Sequence, residues 1–193
     1  MPAPEPKPES TQLTFVGAGR QGSVYRLDAG RCIKYYARRK FLRRELAALQ
    51  QAGGDPLLPR VLAFGDDFII REYLEGTPLD RYLSLEGRGL TQALAVKLLR
   101  VYETLVRLGY RRADLRLAHV ILTPAGDLRV IDPTNMMKED RRFPKKLLHD
   151  LARLGGLEVF MAVLARHRPD LLQSWRKRLS YAPGGETAPE MGA

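Results

Sequence analysis

The sequence predicts an α+β chain: an antiparallel five-stranded sheet first, a mainly helical part after it. Three observations carry that expectation. Short apolar runs separated by Gly and Asp turns fill the chain to about residue 75. After Gly76, apolar residues recur at the three- and four-residue spacing of amphipathic helices. That helical pattern is interrupted once, by the β-like runs Val120-Ile121-Leu122 and Leu128-Arg129-Val130-Ile131 around the turn Pro124-Ala125-Gly126-Asp127.

In chain order, residues 1–10 alternate Pro with polar residues and read as a disordered leader. Leu13 and Phe15, then Val24, Tyr25 and Leu27, flank a glycine-rich turn, and Cys32-Ile33-Lys34-Tyr35-Tyr36 follows Asp28-Ala29-Gly30 as a third strand. Phe41, Leu42, Leu46 and Leu49 share one face of a helix from about Arg39 to Gln51, ended by Gly53-Gly54. Val61–Phe64 and Phe68–Tyr73 complete the five strands around Gly65-Asp66-Asp67. Leu94, Leu98, Val101, Leu105 and Leu108 trace a long helix closed by Gly109. Beyond the hairpin, Leu147, Leu151 and Leu154 predict another helix, which Gly155-Gly156 bends or breaks before Leu157, Phe160, Val163 and Leu164. A last short helix is expected over residues 171–179, and residues 182–193 read as a flexible tail.

The 193 residues, 45% of them hydrophobic, suffice for one domain or two small lobes with a shared interface. No apolar run is long enough to span a bilayer, and the opening residues do not read as a signal peptide, so a cytoplasmic location is expected. A single cysteine, Cys32, excludes an internal disulfide and a cysteine-based zinc site. The net charge of +10 favours anionic partners. It leaves nucleic acid open as a partner, against which stands the absence of aromatic residues interleaved with the basic runs.

The chemistry is expected where the hairpin brings Asp114 and Asp132, eighteen positions apart, toward one site. Two carboxylates there can hold a divalent cation and accept a proton. Gly17, Gly19 and Gly22, in a strand–turn–strand setting, let backbone amides approach phosphate oxygens. A glycine-rich hairpin without a ligand is the plain alternative. Lys34 sits mid-strand, on the face of Cys32 and Tyr36 and opposite Ile33 and Tyr35. It is either a solvated edge-strand lysine or an ammonium aimed at phosphates. Glu45, the sole acid in a helix that begins with Arg39, Lys40, Arg43 and Arg44, is its natural partner.

Taken in order, these motifs resemble the protein-kinase fold in its small atypical bacterial serine/threonine forms. Gly17-Ala18-Gly19-Arg20-Gln21-Gly22-Ser23-Val24 matches the loop G-x-G-x-x-G-x-V, and Cys32-Ile33-Lys34 stands for the V-A-I-K strand. Glu72-Tyr73-Leu74-Glu75-Gly76 resembles the hinge, Ala113-Asp114-Leu115 the core of H-R-D-L, and Asp132-Pro133-Thr134 the position of D-F-G. The resemblance implies a protein-kinase-like two-lobe fold: a five-stranded N-lobe over residues 11–75 and a reduced helical C-lobe over residues 76–181. It implies ATP with Mg²⁺, or Mn²⁺, as the cofactors and a hydroxyl group as the acceptor. Gly17, Gly19, Gly22 and Val24 would then cover the nucleotide. Lys34, oriented by Glu45, would contact the α- and β-phosphates. The backbone from Glu72 to Leu74 would meet the adenine edge. Asp114 would position the acceptor hydroxyl, Arg116 would stand near the γ-phosphate, and Asp132 would hold the metal. Asp150 resembles the helix aspartate that props the catalytic loop; its plain alternative is a surface residue.

Departures from the family pattern set the alternatives. His119 stands where the family has the asparagine that binds a second metal, and imidazole is a weak ligand for Mg²⁺. Ala113 replaces the arginine that precedes the catalytic aspartate, and no A-P-E segment follows Asp132. The leading expectation is a serine/threonine protein kinase. Beside it stand a kinase of sugars, antibiotics or lipid-linked saccharides, and a pseudokinase serving as a nucleotide-binding interaction module.

Overall fold

The computed structural model describes residues 13–110, 115–133 and 143–179. Strands β1 (Thr14–Gly19), β2 (Gly22–Arg26) and β3 (Arg31–Tyr36) form a meander, and β4 (Val61–Phe64) and β5 (Phe68–Glu72) a hairpin. All pair antiparallel in the order β1-β2-β3-β5-β4. β3 is therefore a central strand, not the solvated edge that Lys34 left open. One face of the sheet collects Ile33, Ala63, Phe68 and Ile70, with Tyr25 and Tyr35 beside them. The other face carries Tyr36 and Ile69 against Leu42 of α1 (Arg39–Gln51).

Helix α1 buries Leu42, Glu45, Ala48 and Leu49, the spacing of a single helical face. Its last turns are fixed from the second half of the chain. Tyr110 Oη donates to the Ala48 carbonyl, and Gln51 Nε2 to the Leu108 carbonyl at 3.0 Å. Its first turn has no side-chain cap and no acidic residue.

The second half holds β6 (Thr77–Pro78), α2 (Leu79–Ser84), α3 (Gln92–Arg107) and a 3₁₀ turn (Leu117–His119). The hairpin β7 (Val120–Leu122) and β8 (Leu128–Val130) follows, then α4 (Lys145–Arg153), α5 (Leu157–His167) and α6 (Pro169–Leu179). Among the described residues this is five strands and one helix, then helices around one hairpin, as the patterning predicts. Thr91 caps α3 by accepting from the Leu94 amide at 3.2 Å. Gly155, at φ +70°, separates α4 from α5, so the glycine pair breaks that helix. Leu98, Leu105, Leu117, Leu147, Leu151, Phe160 and Leu164 form the fully buried centre of the main core.

β6 and α2 were not among the expected elements. Two and six residues are too short to generate a period. They exist because β6 adds to β7 (Thr77 opposite Leu122, Pro78 opposite Ile121) and α2 buries Leu79 and Leu83. Gly76, where the composition changes, is sterically required: a Cβ there would lie 2.3 Å from the Leu122 carbonyl oxygen. No helix among the described residues is long and apolar enough to cross a membrane. The leader 1–10 and the tail 182–193 lie outside the described residues.

Candidate active site

β1 and β2 present the glycine turn at one side of a cleft of about 730 Å³. Gly17, Gly19, Gly22, Val24, Lys34, Glu72, Leu74, Arg116, His119 and Asp132 all line it. Among the described residues, every expected lining residue is thus on one cavity. Asp114 lies outside the described residues. The three glycines differ. A Cβ on Gly22 would fall 1.8 Å from the Tyr35 carbonyl oxygen, so the sheet itself demands that glycine. Cβ atoms on Gly17 or Gly19 would meet nothing within 4 Å. The protein's own packing gives those two positions no reason to be glycine.

Lys34 pairs across the sheet with Val24 and Ile69 and is 6% exposed. Its Nζ lies 2.6 Å from Glu45 Oε2 and 3.7 Å from Asp132 Oδ1. The Tyr36 ring lies 5.1 Å from the ammonium. Glu45 is fully buried, and Arg71 Nη1 donates to its other oxygen, Oε1, at 2.9 Å. Two cations and two carboxylates therefore balance at the floor of the cleft. Such an arrangement holds only while each charge keeps its partner, because an unpaired buried ion carries a desolvation penalty of several kcal/mol, about 3–5 on removal of one partner. Burial pushes the Tyr36 phenol and the Cys32 thiol up, so both stay protonated beside these charges.

Asp132 follows β8 with φ +54°, a left-handed conformation that Asp tolerates better than most non-glycine residues. Burial lowers the His119 pKa, against the attraction of Asp132 and together with the positive charges of Lys34, Arg116 and Lys146. The imidazole is thus neutral near pH 7 and able to offer a nitrogen lone pair. No group of three or more metal-ligating side chains is assembled among the described residues. Asp132 and His119, on the same cleft, are the side chains there that could hold one divalent cation. An oxygen–nitrogen pair accepts Mn²⁺ more readily than Mg²⁺.

Asp150 is buried, not a surface residue, and accepts the Leu117 amide at 3.1 Å. It thereby holds the 3₁₀ turn that carries His119. Arg116 is 3.9 Å from the same carboxylate, with its side chain 56% exposed. Glu72 lines the cleft, and its carboxylate is held by Arg129, which donates to Oε1 at 2.6 Å and to Oε2 at 2.9 Å.

Arg71 and Arg129 were absent from the residues singled out in the sequence. The signal for Arg71 was available: an arginine ending the apolar run Phe68-Ile69-Ile70 is out of place on a central strand unless it is paired. Arg129 has no such signal, because exposed arginines are common on hairpins.

The five-stranded antiparallel sheet with its helix, followed by helices around a hairpin, is an α+β arrangement consistent with a kinase-like fold. One relative supports that class. The protein of Bacillus subtilis (strain 168) named "Putative serine/threonine-protein kinase YrzF" is 27% identical over 133 residues, 65% of this chain. The match spans 60% of that relative's own length. No family model matches the chain.

Proposed function

We propose that this chain is an ATP-dependent phosphotransferase of two lobes, residues 11–75 and 76–181, joined at Glu72–Gly76. In this reading it is a serine/threonine protein kinase moving the γ-phosphoryl group to a hydroxyl. The observation that carries it is the Lys34–Glu45 pair, buried under the glycine turn with Asp132 across from Lys34. The name borne by the Bacillus relative points the same way.

ATP with its metal supplies the transferable phosphoryl group and charge neutralisation. The residues do the positioning. Gly17 and Gly19, open above the cleft, let the backbone close on the phosphates. Lys34 takes the α- and β-phosphate charge while Glu45 fixes its direction. Asp132, with His119 as a weaker second ligand, holds the cation. Asp114 is assigned from its motif to take the acceptor proton as the new O–P bond forms and the bond to the ADP oxygen breaks. Arg116, exposed at the cleft, stands for the γ-phosphate. Asp150 holds the 3₁₀ turn in register.

The test is incubation of the full chain with labelled ATP and Mg²⁺ or Mn²⁺, alone and with an acidic acceptor protein. Labelling that disappears in Asp114→Ala and Lys34→Met, with nucleotide binding kept in Asp114→Ala, supports the reading. ADP release that needs a sugar or antibiotic would move the acceptor to a small molecule. No thermal stabilisation by ATP with any divalent metal would refute nucleotide use and leave an interaction module.

A further inference from the structure

The first half of α1 is poorly made as a helix. It carries Arg39, Lys40, Arg43 and Arg44, all of them outside the buried face, and Arg38 precedes it. No side chain caps it and no acid sits in its first turn. Cations at a helix N-terminus oppose the macrodipole and repel one another. An exposed pair from Arg39 to Asp66 contributes little at 63% and 89% exposure. Yet Glu45 must arrive under the sheet from this half of the helix.

Lys34 alone is a poor anchor for that carboxylate. In the phosphotransferase reading its ammonium is shared with phosphates, and it already has Asp132 at 3.7 Å. Arg71 also lines the cleft, but among the described residues its ion pair is with Glu45 and not with Asp132. It enters from β5, opposite Cys32 on β3, and takes the Glu45 oxygen that Lys34 does not hold. Burial opposes its charge, but Glu45 beside it more than offsets this, so Arg71 stays ionised. Stability is a weak reason for this arginine. Its Nε is buried without a hydrogen-bond partner, and an apolar residue of similar volume would avoid that loss.

We propose that Arg71 is a positioning residue that locks α1 in its engaged position, so that the Lys34–Glu45 pair forms without nucleotide, partner protein or phosphorylation. Arg71 ties Glu45 to the sheet by a bond that nucleotide binding does not draw on. The site is therefore assembled before its ligand arrives, and regulation acts elsewhere than through swinging of α1. The nucleotide and kinetic arms of the test rest on the phosphotransferase reading; the nucleotide-free exchange does not.

The decisive measurement is hydrogen exchange of the nucleotide-free full chain. Arg71→Met should raise exchange over residues 40–46 about tenfold or more, with α3 unchanged, and Arg71→Lys should recover part of the protection. Saturating ATP with Mg²⁺ should leave Arg71→Met less protected over these residues than wild type, because Lys34 is then shared with phosphate. In the kinetic arm, kcat should fall about tenfold while KM for ATP moves by less than about threefold. Equal α1 protection in wild type and Arg71→Met overturns the lock. So does low α1 protection in the nucleotide-free wild type. Should Arg71→Met not fold, Arg71→Lys carries the same comparison, and unchanged α1 exchange in it refutes the proposal. Absence of phosphotransfer in the wild type would remove the reading of the site and leave the exchange result to decide the lock.

Discussion

Arg129→Ala should cost this protein about 3 kcal/mol of stability, more than a partly exposed hairpin arginine ordinarily does. Four of the five guanidinium N–H donors are used. Nε donates to the Pro56 carbonyl at 2.6 Å, Nη2 to the Leu58 carbonyl at 3.1 Å, and both terminal nitrogens to Glu72. These bonds join β8 to the segment after α1 and to the end of β5, with the Val130 amide donating to the Leu57 carbonyl at 2.8 Å alongside. Each charge-assisted bond is worth roughly 1.5–3 kcal/mol when desolvated. The side chains of Arg129 and Glu72 are 20% and 26% exposed, so water screens part of the ion pair, and the bonds of one group do not add. Two carbonyls and a carboxylate lose their donor together, which gives about 2–4 kcal/mol in sum. For a chain of this length the central value of about 3 kcal/mol lowers Tm by roughly 6–12 °C. Urea titrations followed by circular dichroism, on wild type, Arg129→Ala, Glu72→Gln and the double variant, read both the total and the coupling. A loss below about 1 kcal/mol would show that the hairpin is held by the apolar core alone, and the clamp would be wrong.

Other outcomes follow from the same geometry. Gly22→Ala should destabilise by roughly 2 kcal/mol, because its methyl would press on the Tyr35 carbonyl, whereas Gly19→Ala should leave stability within about 0.5 kcal/mol and weaken nucleotide binding instead. Thermal melts with and without ATP separate the two effects. Asp132→Asn should keep the fold, since Asn also tolerates a positive φ, and abolish the metal-dependent part of any nucleotide-induced stabilisation. Hydrogen bonding from Arg129, against desolvation, holds the Glu72 carboxyl below its usual range. Its contribution is complete above the unfolded carboxyl range near pH 4.3 and drains away as pH falls through the lowered folded value. Urea midpoints of wild type should therefore drop more steeply below about pH 4.5 than those of Glu72→Gln.

What the sequence disclosed, and what it hid, divides along physical lines. The strands, the long helices and the break at Gly155 were legible because each leaves a period or a turn residue in the chain. Lys34 and Glu45 were legible because each is chemically alone, a cation within a strand and an acid among arginines. Their bond was inferred, and Lys34 Nζ lies 2.6 Å from Glu45 Oε2. β6 and α2 were hidden because they exist only through pairing with β7 and burial under the 3₁₀ turn. Arg71 was half-legible: it ends an apolar run, and its charge is out of place only on a strand that pairs on both sides. Whether Asp150 was a prop or a surface acid could not be decided without knowing that the Leu117 amide turns toward it.

The uneven distribution of unfavourable features is itself informative. The main core is built almost wholly from Leu, Val, Ala and aromatic side chains, most of them in ordinary helices. Along one face of the sheet the chain instead buries Lys34, Glu45 and Arg71. It also holds Asp132 in a left-handed conformation that costs on the order of 1 kcal/mol. Stability alone would favour apolar residues at the first three positions, and Gly or Asn at the fourth. These departures meet at one cleft and share one charge balance. Local choices that conflict with folding tend to collect where a protein acts on something else. That concentration sets Lys34, Glu45, Arg71 and Asp132 apart from Arg129 and Glu72, whose pair lies away from the floor of the cleft and whose bonds are all of use to the fold.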